Sequence, residues 1–170
     1  MKLLKKYLKK YRAFFLALLA VFSLAISSSA RAVDQGDIYL EAFGGLDVDS
    51  TRRILMGTTV GYSPWDEIGV GLTFEQAVAG KKKDTFDNSL RGAIEFRWFL
   101  EPWEFWLDTG YLVTEEKVTG ATTKSGTINL GGAYLFSLTA SMAIRLGVHI
   151  QFPYTADGTI FSTAALRVIW

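Results

Sequence analysis

The feature that most constrains the fold is a two-residue alternation of apolar and other side chains, which recurs along the chain after residue 32. In one stretch every second residue is apolar: Met142, Ile144, Leu146, Val148, Ile150 and Phe152. The intervening positions are small, polar or charged. Since successive side chains of a β-strand point to opposite faces, this period predicts strands with one apolar face and one polar face.

Eight such segments are predicted, and no stretch after residue 32 shows a sustained helical period. They cover residues 38–45, 53–62, 68–75, 89–100, 103–113, 127–136, 141–152 and 160–170. Tight links near 63–67, 101–102 and 137–139 alternate with longer polar links near 46–52, 79–88, 114–125 and 153–158. Short turns at one end and long loops at the other are typical of a membrane barrel. We therefore predict an all-β fold, an eight-stranded antiparallel up-and-down transmembrane β-barrel.

Residues 1–32 have the composition of a secretory signal peptide. A basic, acid-free segment precedes an apolar run at 13–26, and Ala30 and Ala32 form an A-x-A cleavage site. The run is shorter than the roughly 20 apolar residues that a spanning helix needs. We expect cleavage after Ala32, which leaves the barrel as residues 33–170, with an uncleaved N-terminal anchor as the alternative.

The composition of residues 33–170 excludes several classes of function. Eleven Lys and Arg residues stand against 17 Asp and Glu residues, a net charge of −6, which argues against a nucleic acid partner. The chain has no cysteine and one histidine, so it offers no disulfide, no thiolate ligand and no two-histidine metal site. We expect neither a metal nor another cofactor.

The polar phase is predicted to face the barrel interior, because its side chains suit a confined space. It contains many glycines and small residues, and all its cations are arginines, whereas the five lysines after residue 32 fall in the long links. Arginine suits multidentate ion pairs, and lysine prefers free hydration. Turning five arginines toward lipid would cost about 2–4 kcal/mol each near the membrane midplane. A soluble lipocalin-like barrel, with its apolar phase inside, is the alternative.

Acids share this phase with the arginines, namely Glu41, Glu75, Glu95, Glu104 and Asp108. Five acids against five arginines predict an interior that neutralises itself. The predicted interior charge network consists of Glu41, Arg53, Glu75, Arg91, Glu95, Arg97, Asp108, Arg145, His149 and Arg167. Such a network either plugs the barrel or lines a narrow pore.

Aromatic residues gather near the predicted strand ends. The predicted girdle comprises Tyr62, Trp65, Trp103, Phe105, Phe136, Phe152, Tyr154 and Trp170. Amphipathic rings at both ends of the strands are typical of the two membrane interfaces. The alternative is that aromatic residues are simply favourable in strands.

The C-terminal sequence FSTAALRVIW carries a family resemblance. Leu166, Val168 and Trp170 alternate and end in an aromatic residue, which resembles the assembly signal that the barrel assembly machinery of bacteria reads. With the signal peptide and the eight alternating strands, the chain resembles the small eight-stranded outer-membrane barrels of the OmpA/OmpX-like class. The resemblance implies Sec-type export to a Gram-negative outer membrane and contact with its lipid and lipopolysaccharide. It implies no single activity.

No catalytic residue is predicted. Some barrels of this size are lipid A-modifying enzymes that use a histidine, a serine and an acid, and the deacylases carry an H-x-S pattern. Here Gln151 stands where that serine would follow His149. We interpret His149 as a lining residue and predict a non-enzymatic protein, with a lipid A-modifying enzyme as the less favoured alternative.

The run Lys81, Lys82 and Lys83 lies in the second long link. It is either a solvated loop tip or a contact for lipopolysaccharide phosphates. The sequence predicts an outer-membrane scaffold that supports envelope integrity or surface-loop interactions with an unidentified partner. A narrow channel for ions or small solutes is the alternative.

Overall fold

The computed structural model shows a closed antiparallel barrel, as predicted, and describes residues 33–48, 53–78, 87–116, 120–154 and 158–170. Its strands are β1 (Ile38–Asp47), β2 (Ile54–Trp65), β3 (Ile68–Val78), β4 (Asp87–Leu100), β5 (Trp103–Glu116), β6 (Thr122–Thr139), β7 (Met142–Pro153) and β8 (Thr159–Ile169). Each strand pairs with the next, and β8 pairs with β1. Among the described residues, no helix is long and apolar enough to cross a membrane. The all-β fold class and the up-and-down topology are confirmed.

The connections alternate in length around the barrel. Turns at 66–67, 101–102 and 140–141 lie at one end, which we call the short-turn end. At the other end, which we call the long-connection end, β1, β3, β5 and β7 end and β2, β4, β6 and β8 begin, and more residues separate the strands in sequence. Residues 33–37, which precede β1, also lie at the short-turn end, because the backbone N–H of Gly36 donates to the carbonyl of Ser63 at 2.7 Å.

Strand pairing continues further toward the long-connection end than the alternation predicts. In particular, β6 begins at Thr122 rather than Thr127, because Glu115 pairs with Thr122 and Thr114 pairs with Thr123. The prediction of a loop over all of 114–125 is therefore wrong for these residues. Thr122, Thr123 and Lys124 are all exposed, and a strand with both faces exposed needs no apolar phase, so backbone pairing continues after the alternation has ended.

The two side-chain phases differ sharply in exposure. The arginines of the polar phase within the strands are buried, as Arg97 and Arg167 show with no exposed surface. Apolar residues of the other phase, such as Ile94 and Phe96, are half exposed. The barrel is therefore polar inside and apolar outside.

Hydroxyl groups on the apolar outer face donate to backbone carbonyls. Thr58 Oγ1 donates to the carbonyl of Glu41 at 2.9 Å, and Thr109 Oγ1 donates to that of Thr127 at 3.3 Å. Internal hydrogen bonds of this kind reduce the cost of placing a hydroxyl against hydrocarbon.

Candidate functional site in the charged barrel interior

Aromatic residues inside the barrel lie opposite glycines on the neighbouring strand. Tyr39 on β1 pairs with Gly61 on β2, and Trp106 on β5 pairs with Gly131 on β6. A Cβ atom at either glycine would overlap the ring opposite it. The small residues of the polar phase therefore do more than fit a narrow interior, because they make room for large inward side chains that the alternation alone did not predict.

Six charged residues near the short-turn end form a connected cluster, which we call the lower cluster. Its members are Glu41, Glu95, Arg97, Glu104, Arg145 and Arg167, all of them buried. Three arginines meet three glutamates, so the formal charges balance.

Arg97 and Arg167 bridge the lower cluster. Arg97 Nη1 lies 2.9 Å from Glu41 Oε2 and 3.0 Å from Glu104 Oε1. Arg167 Nη2 lies 2.8 Å from Glu41 Oε2 and 2.7 Å from Glu104 Oε2. Because each of these glutamates accepts from both guanidinium groups, the four side chains hold one another in place.

The arginines of the lower cluster also lie over aromatic rings. The guanidinium carbon of Arg145 is 4.4 Å from the ring centre of Trp106, and that of Arg97 is 5.2 Å from the ring centre of Tyr39. A cation over an aromatic face gains electrostatic attraction, and the gain is larger where water is excluded. The glycine-paired rings thus support the ion pairs.

A second group lies nearer the long-connection end and is called the upper cluster. Arg91 forms ion pairs with Glu75, at 3.1 Å between Nη1 and Oε1, and with Asp108. Arg91 Nε donates to the hydroxyl of Thr127 at 2.6 Å, and Gln151 Nε2 donates to Glu75 Oε1 at 3.0 Å. Neutral donors and acceptors therefore complete a site that has two carboxylates for one arginine.

Apolar side chains lie beyond both charged clusters. At the short-turn end, Val33, Tyr39, Phe99 and Ile169 pack as one buried group. Toward the long-connection end, Leu55, Ala77 and Phe161 form another, with Phe43 against it. Together with the charged clusters, these groups fill the interior along the barrel axis.

The structure brings most of the predicted network together. Glu41, Glu95, Arg97, Arg145 and Arg167 join the lower cluster, and Glu75, Arg91 and Asp108 join the upper one. Glu104, which the sequence placed in the polar phase but not in the network, belongs to the lower cluster.

Two residues of the predicted network lie outside both clusters. Arg53 lies at the long-connection end just before β2 and is partly exposed. His149 is buried between the rings of Trp106 and Phe161, with ring centres 6.4 Å and 5.2 Å away. Its aromatic surroundings agree with a lining role.

The predicted girdle residues lie toward the strand ends. Tyr62, Trp65 and Trp170 project outward at the short-turn end and are about half exposed or more, at 47%, 61% and 64%. Tyr154, at 67%, lies at the other end. Trp103, Phe105, Phe136 and Phe152 lie on the same outer face. Their role as a membrane girdle stays a prediction.

The residues of the predicted assembly signal lie at the junction between β8 and β1. Val168 pairs with Leu40, and Leu166 pairs with Ala42. Trp170 and Ile38 exchange backbone hydrogen bonds at 2.9 Å and 3.1 Å. The predicted lysine contact at 81–83 and the predicted signal peptide at 1–32 lie outside the described residues.

Solved structures with the same architecture include bacterial outer-membrane proteins. The N-terminal β-barrel domain of Pseudomonas aeruginosa OprF matches with a TM-score of 0.62 at 13% identity, over 80% of this chain and 98% of that one. The chain has the fold of the eight-stranded outer-membrane β-barrels. Neisserial surface protein A matches with a TM-score of 0.60 at 11% identity, over 78% of this chain and 95% of that one.

A third match extends the comparison to a lipid environment. The Yersinia pestis outer membrane protein Ail in a phospholipid bilayer nanodisc matches with a TM-score of 0.50 at 13% identity, over 78% of this chain and 99% of that one. The sequence matches no protein-family model and no curated protein. At these identities the likeness concerns the fold.

Proposed function

We propose that the protein is a non-enzymatic integral barrel of a Gram-negative outer membrane, reached by Sec-type export, whose charged interior keeps the barrel closed. The observation that carries this proposal is the filled interior, in which two ion-pair clusters lie between two apolar groups. Breaking one buried ion pair costs about 3–5 kcal/mol, so such a plug resists opening. The barrel would act as a rigid scaffold that supports the envelope or presents its long connections to partners.

Recordings across planar bilayers test the closed interior. We expect no steady channels from the refolded protein, because its lumen is occupied by paired side chains. Arg145→Ala and Asp108→Asn report whether any current passes through the clusters, with Lys124→Gln on the exposed part of β6 as the matched control. Steady channels that change in the two interior variants alone would favour the narrow channel instead.

Gel migration and membrane fractionation test residence in the membrane. A folded membrane barrel is expected to migrate differently before and after boiling and to fractionate with the outer membrane. The apolar outer face, on which residues such as Leu72 and Phe74 are more than half exposed, supports this expectation. A processed protein that stays soluble without detergent would contradict it.

A non-enzymatic role is proposed because His149 lies between the rings of Trp106 and Phe161, and its Nε2 has no hydrogen-bond partner within the described part of the chain. We expect His149→Ala to leave the acylation state of lipid A unchanged in cells that express the protein. Any lipid A change that depends on His149 would identify an enzyme.

Contact between Lys81, Lys82 and Lys83 and lipopolysaccharide is a further part of the proposal. Clustered cations attract phosphate groups. Replacing all three with glutamine should weaken lipopolysaccharide binding, whereas Lys124→Gln should change it less. Equal binding by the triple variant and the unmodified protein would remove this contact.

Recognition of the last strand by the barrel assembly machinery is proposed from Leu166, Val168 and Trp170. Trp170→Ala should lower the amount of heat-modifiable protein in the outer membrane and leave export unchanged. The conservative variant Trp170→Phe should restore it, since an aromatic side chain is the feature in question.

A further inference from the structure

The residues that precede β1 form a turn at the short-turn end of the barrel. The backbone N–H of Asp37 donates to the carbonyl of Asp34 at 3.1 Å, and Gly36 between them has a φ of +93°, which favours glycine. The Asp37 carboxylate also accepts from the backbone N–H of Asp34, at 3.0 Å. These contacts within the turn hold Asp34 in a defined position.

The turn is also tied to its neighbours in the fold. The backbone N–H of Gly36 donates to the carbonyl of Ser63 at 2.7 Å, and that of Ser63 donates to the carbonyl of Asp37 at 2.9 Å. The backbone N–H of Gln35 donates to the carboxylate of Asp66 at 2.9 Å. The segment is therefore part of the barrel, joined to the end of β2 and to the turn that follows it.

Val33 is the buried residue of this segment. It is 1% exposed and packs with Tyr39, Phe99 and Ile169, whereas residues 34–36 are exposed. Val33 therefore closes the apolar group that lies beyond the lower cluster at the short-turn end.

Val33 is also the residue that becomes N-terminal if the signal peptide is removed after Ala32, as the sequence predicts. Hydrolysis of the Ala32–Val33 peptide bond consumes one water molecule and leaves a carboxylate on Ala32 and an amino group on Val33. An α-amino group has a pKa of about 7.7–8.0 and is mostly protonated at pH 7. Cleavage thus creates a positive charge at the buried start of the turn.

The short-turn end is acidic around this position. Within the described residues 33–37, 63–67, 101–102 and 139–141 there is no lysine, arginine or histidine, whereas the acids are Asp34, Asp37, Asp66, Glu67 and Glu101. Partial burial, and after it the negative charge of Asp34, raise the pKa of the Glu101 carboxyl group. A cation at this end therefore reduces repulsion among like charges.

The Asp37 carboxylate lies within reach of the new amino group. One of its oxygens is 3.0 Å from the backbone nitrogen of Asp34. Bond lengths keep consecutive backbone nitrogens less than about 3.8 Å apart, so the nitrogen of Val33 lies within about 7 Å of that oxygen. A small rotation about the backbone of Val33 can shorten this distance, because cleavage frees its nitrogen from the preceding residue.

We propose that removal of the signal peptide completes the short-turn end of the barrel, because the new ammonium group of Val33 pairs with the Asp37 carboxylate while the Val33 side chain stays in the apolar group. The proposal rests on the Sec-type export and the cleavage site predicted above, and it adds a structural role for the processed N-terminus. Any extension that precedes Val33 moves the positive charge away from Asp37.

The first experiment uses protein isolated from the outer membrane of cells that express the full chain. N-terminal sequencing is expected to find Val33 as the first residue. Insertion of Gly-Ser between Ala32 and Val33 keeps the A-x-A site but displaces the ammonium group. In vesicles at pH 6.5 it should raise the unfolding equilibrium constant about threefold to fivefold, the upper range for one ion pair near a surface. The same insertion between Lys81 and Lys82 should change it little.

Two further measurements separate charge from the bulk of the insertion. Asp37→Asn keeps an oxygen that can accept from Asp34 but lacks the charge, so in this variant the insertion should have no further effect. In Glu67→Gln, which removes an exposed acid at the same end, the insertion should keep its effect. Pairing raises the pKa of the amino group in the folded state, so the effect should be present at pH 6.5 and lost at about pH 10.

The side chain of Val33 is tested separately. Val33→Ala removes two methyl groups from the apolar group and should raise the unfolding equilibrium constant about tenfold. Val48→Ala is the matched control, because Val48 is 62% exposed at the long-connection end, and it should change stability little.

Several outcomes would overturn the proposal. They are a first residue other than Val33, equal stability with and without the insertion before Val33, an insertion effect that persists in Asp37→Asn or at pH 10, and no loss in Val33→Ala. Failure of the proposed membrane location is distinct, because the protein would then lack heat-dependent migration and would not fractionate with the outer membrane.

Discussion

Arg97 is the side chain on which the lower cluster converges. Its guanidinium lies 2.9 Å from Glu41, 3.0 Å from Glu104 and 2.5 Å from Glu95, and it is fully buried. An arginine has five N–H donors in a fixed plane, so it can donate hydrogen bonds to several carboxylates at once. A lysine has three donors on a single nitrogen atom and would form fewer of these hydrogen bonds. Each carboxylate is in turn costly to bury without its partner.

Removal of Arg97 should therefore destabilise the barrel strongly. Arg97→Met leaves three glutamates with two arginines, and we expect a loss of about 3–5 kcal/mol in the free energy of unfolding. Denaturant titration of the protein refolded into lipid vesicles measures this loss. Lys124→Met, at an exposed position, should change stability little, and equal effects of the two substitutions would contradict a structural role for the cluster.

The pairing of Trp106 with Gly131 leads to a second prediction, which concerns the space that the glycine leaves for the indole ring. Gly131→Ala places a methyl group where the indole lies and should cost about 1–3 kcal/mol of unfolding free energy. Gly44→Ala is the matched control, because a Cβ atom there approaches only the carbonyl of Leu55, at 3.9 Å. Urea titration of both variants should show a loss at Gly131 and little change or a slight gain at Gly44.

Most strands combine a central part, where the two side-chain phases differ, with an end where they do not. The sequence predicted the central parts because an apolar outer face and a polar inner face require alternation there. It did not predict the start of β6, since Thr122 to Ser125 carry no phase difference and only backbone pairing extends the strand. Strand boundaries beyond the alternating part are set by backbone hydrogen bonding, which leaves little trace in hydropathy.

Two outward residues of β6, Leu130 and Leu138, lie at different distances from the strand end. The cost of introducing a charge, measured as a loss of folding free energy, should therefore differ between them. Leu130 lies mid-strand and Leu138 lies near the short-turn end, and both are about half exposed. Leu130→Arg should cost about 2–4 kcal/mol and Leu138→Arg about 0–1 kcal/mol. Folding titrations in vesicles compare them, and a larger loss at Leu138 would argue against the proposed position of the membrane.

The partners within the interior are a property of the whole barrel. The sequence predicted that arginines and acids share the inward phase, but it did not predict which of them meet. Glu41 and Arg97 lie 56 positions apart in sequence, and Glu41 and Arg167 lie 126 apart. Such contacts depend on the closure and stagger of all eight strands. The alternation did not predict that Tyr39 and Trp106 point inward. Each ring fits there because a glycine on the neighbouring strand lies opposite it, and that pairing is known only from the strand register.

The two ends of the barrel differ in charge, which predicts its orientation. The short-turn end carries acids, whereas Lys124, the one lysine among the described residues, lies toward the long-connection end. The natural chain has no cysteine, so a single introduced thiol can be labelled without background. Lys124→Cys should react with an impermeant maleimide in intact cells. Glu67→Cys should react only after the outer membrane is permeabilised, and the opposite pattern would reverse the orientation.

The pairing of β1 with β8 also has a consequence for biogenesis. These strands lie at the two extremes of the described chain, yet nine residue pairs join them. Until they meet, both present unpaired N–H and C=O groups, which are costly to leave without partners away from water and otherwise invite pairing with another chain. Contacts between such distant segments also form slowly. A barrel in which β1 and β8 have not yet met therefore has two open strand edges, and the pairing of these two strands removes both at once.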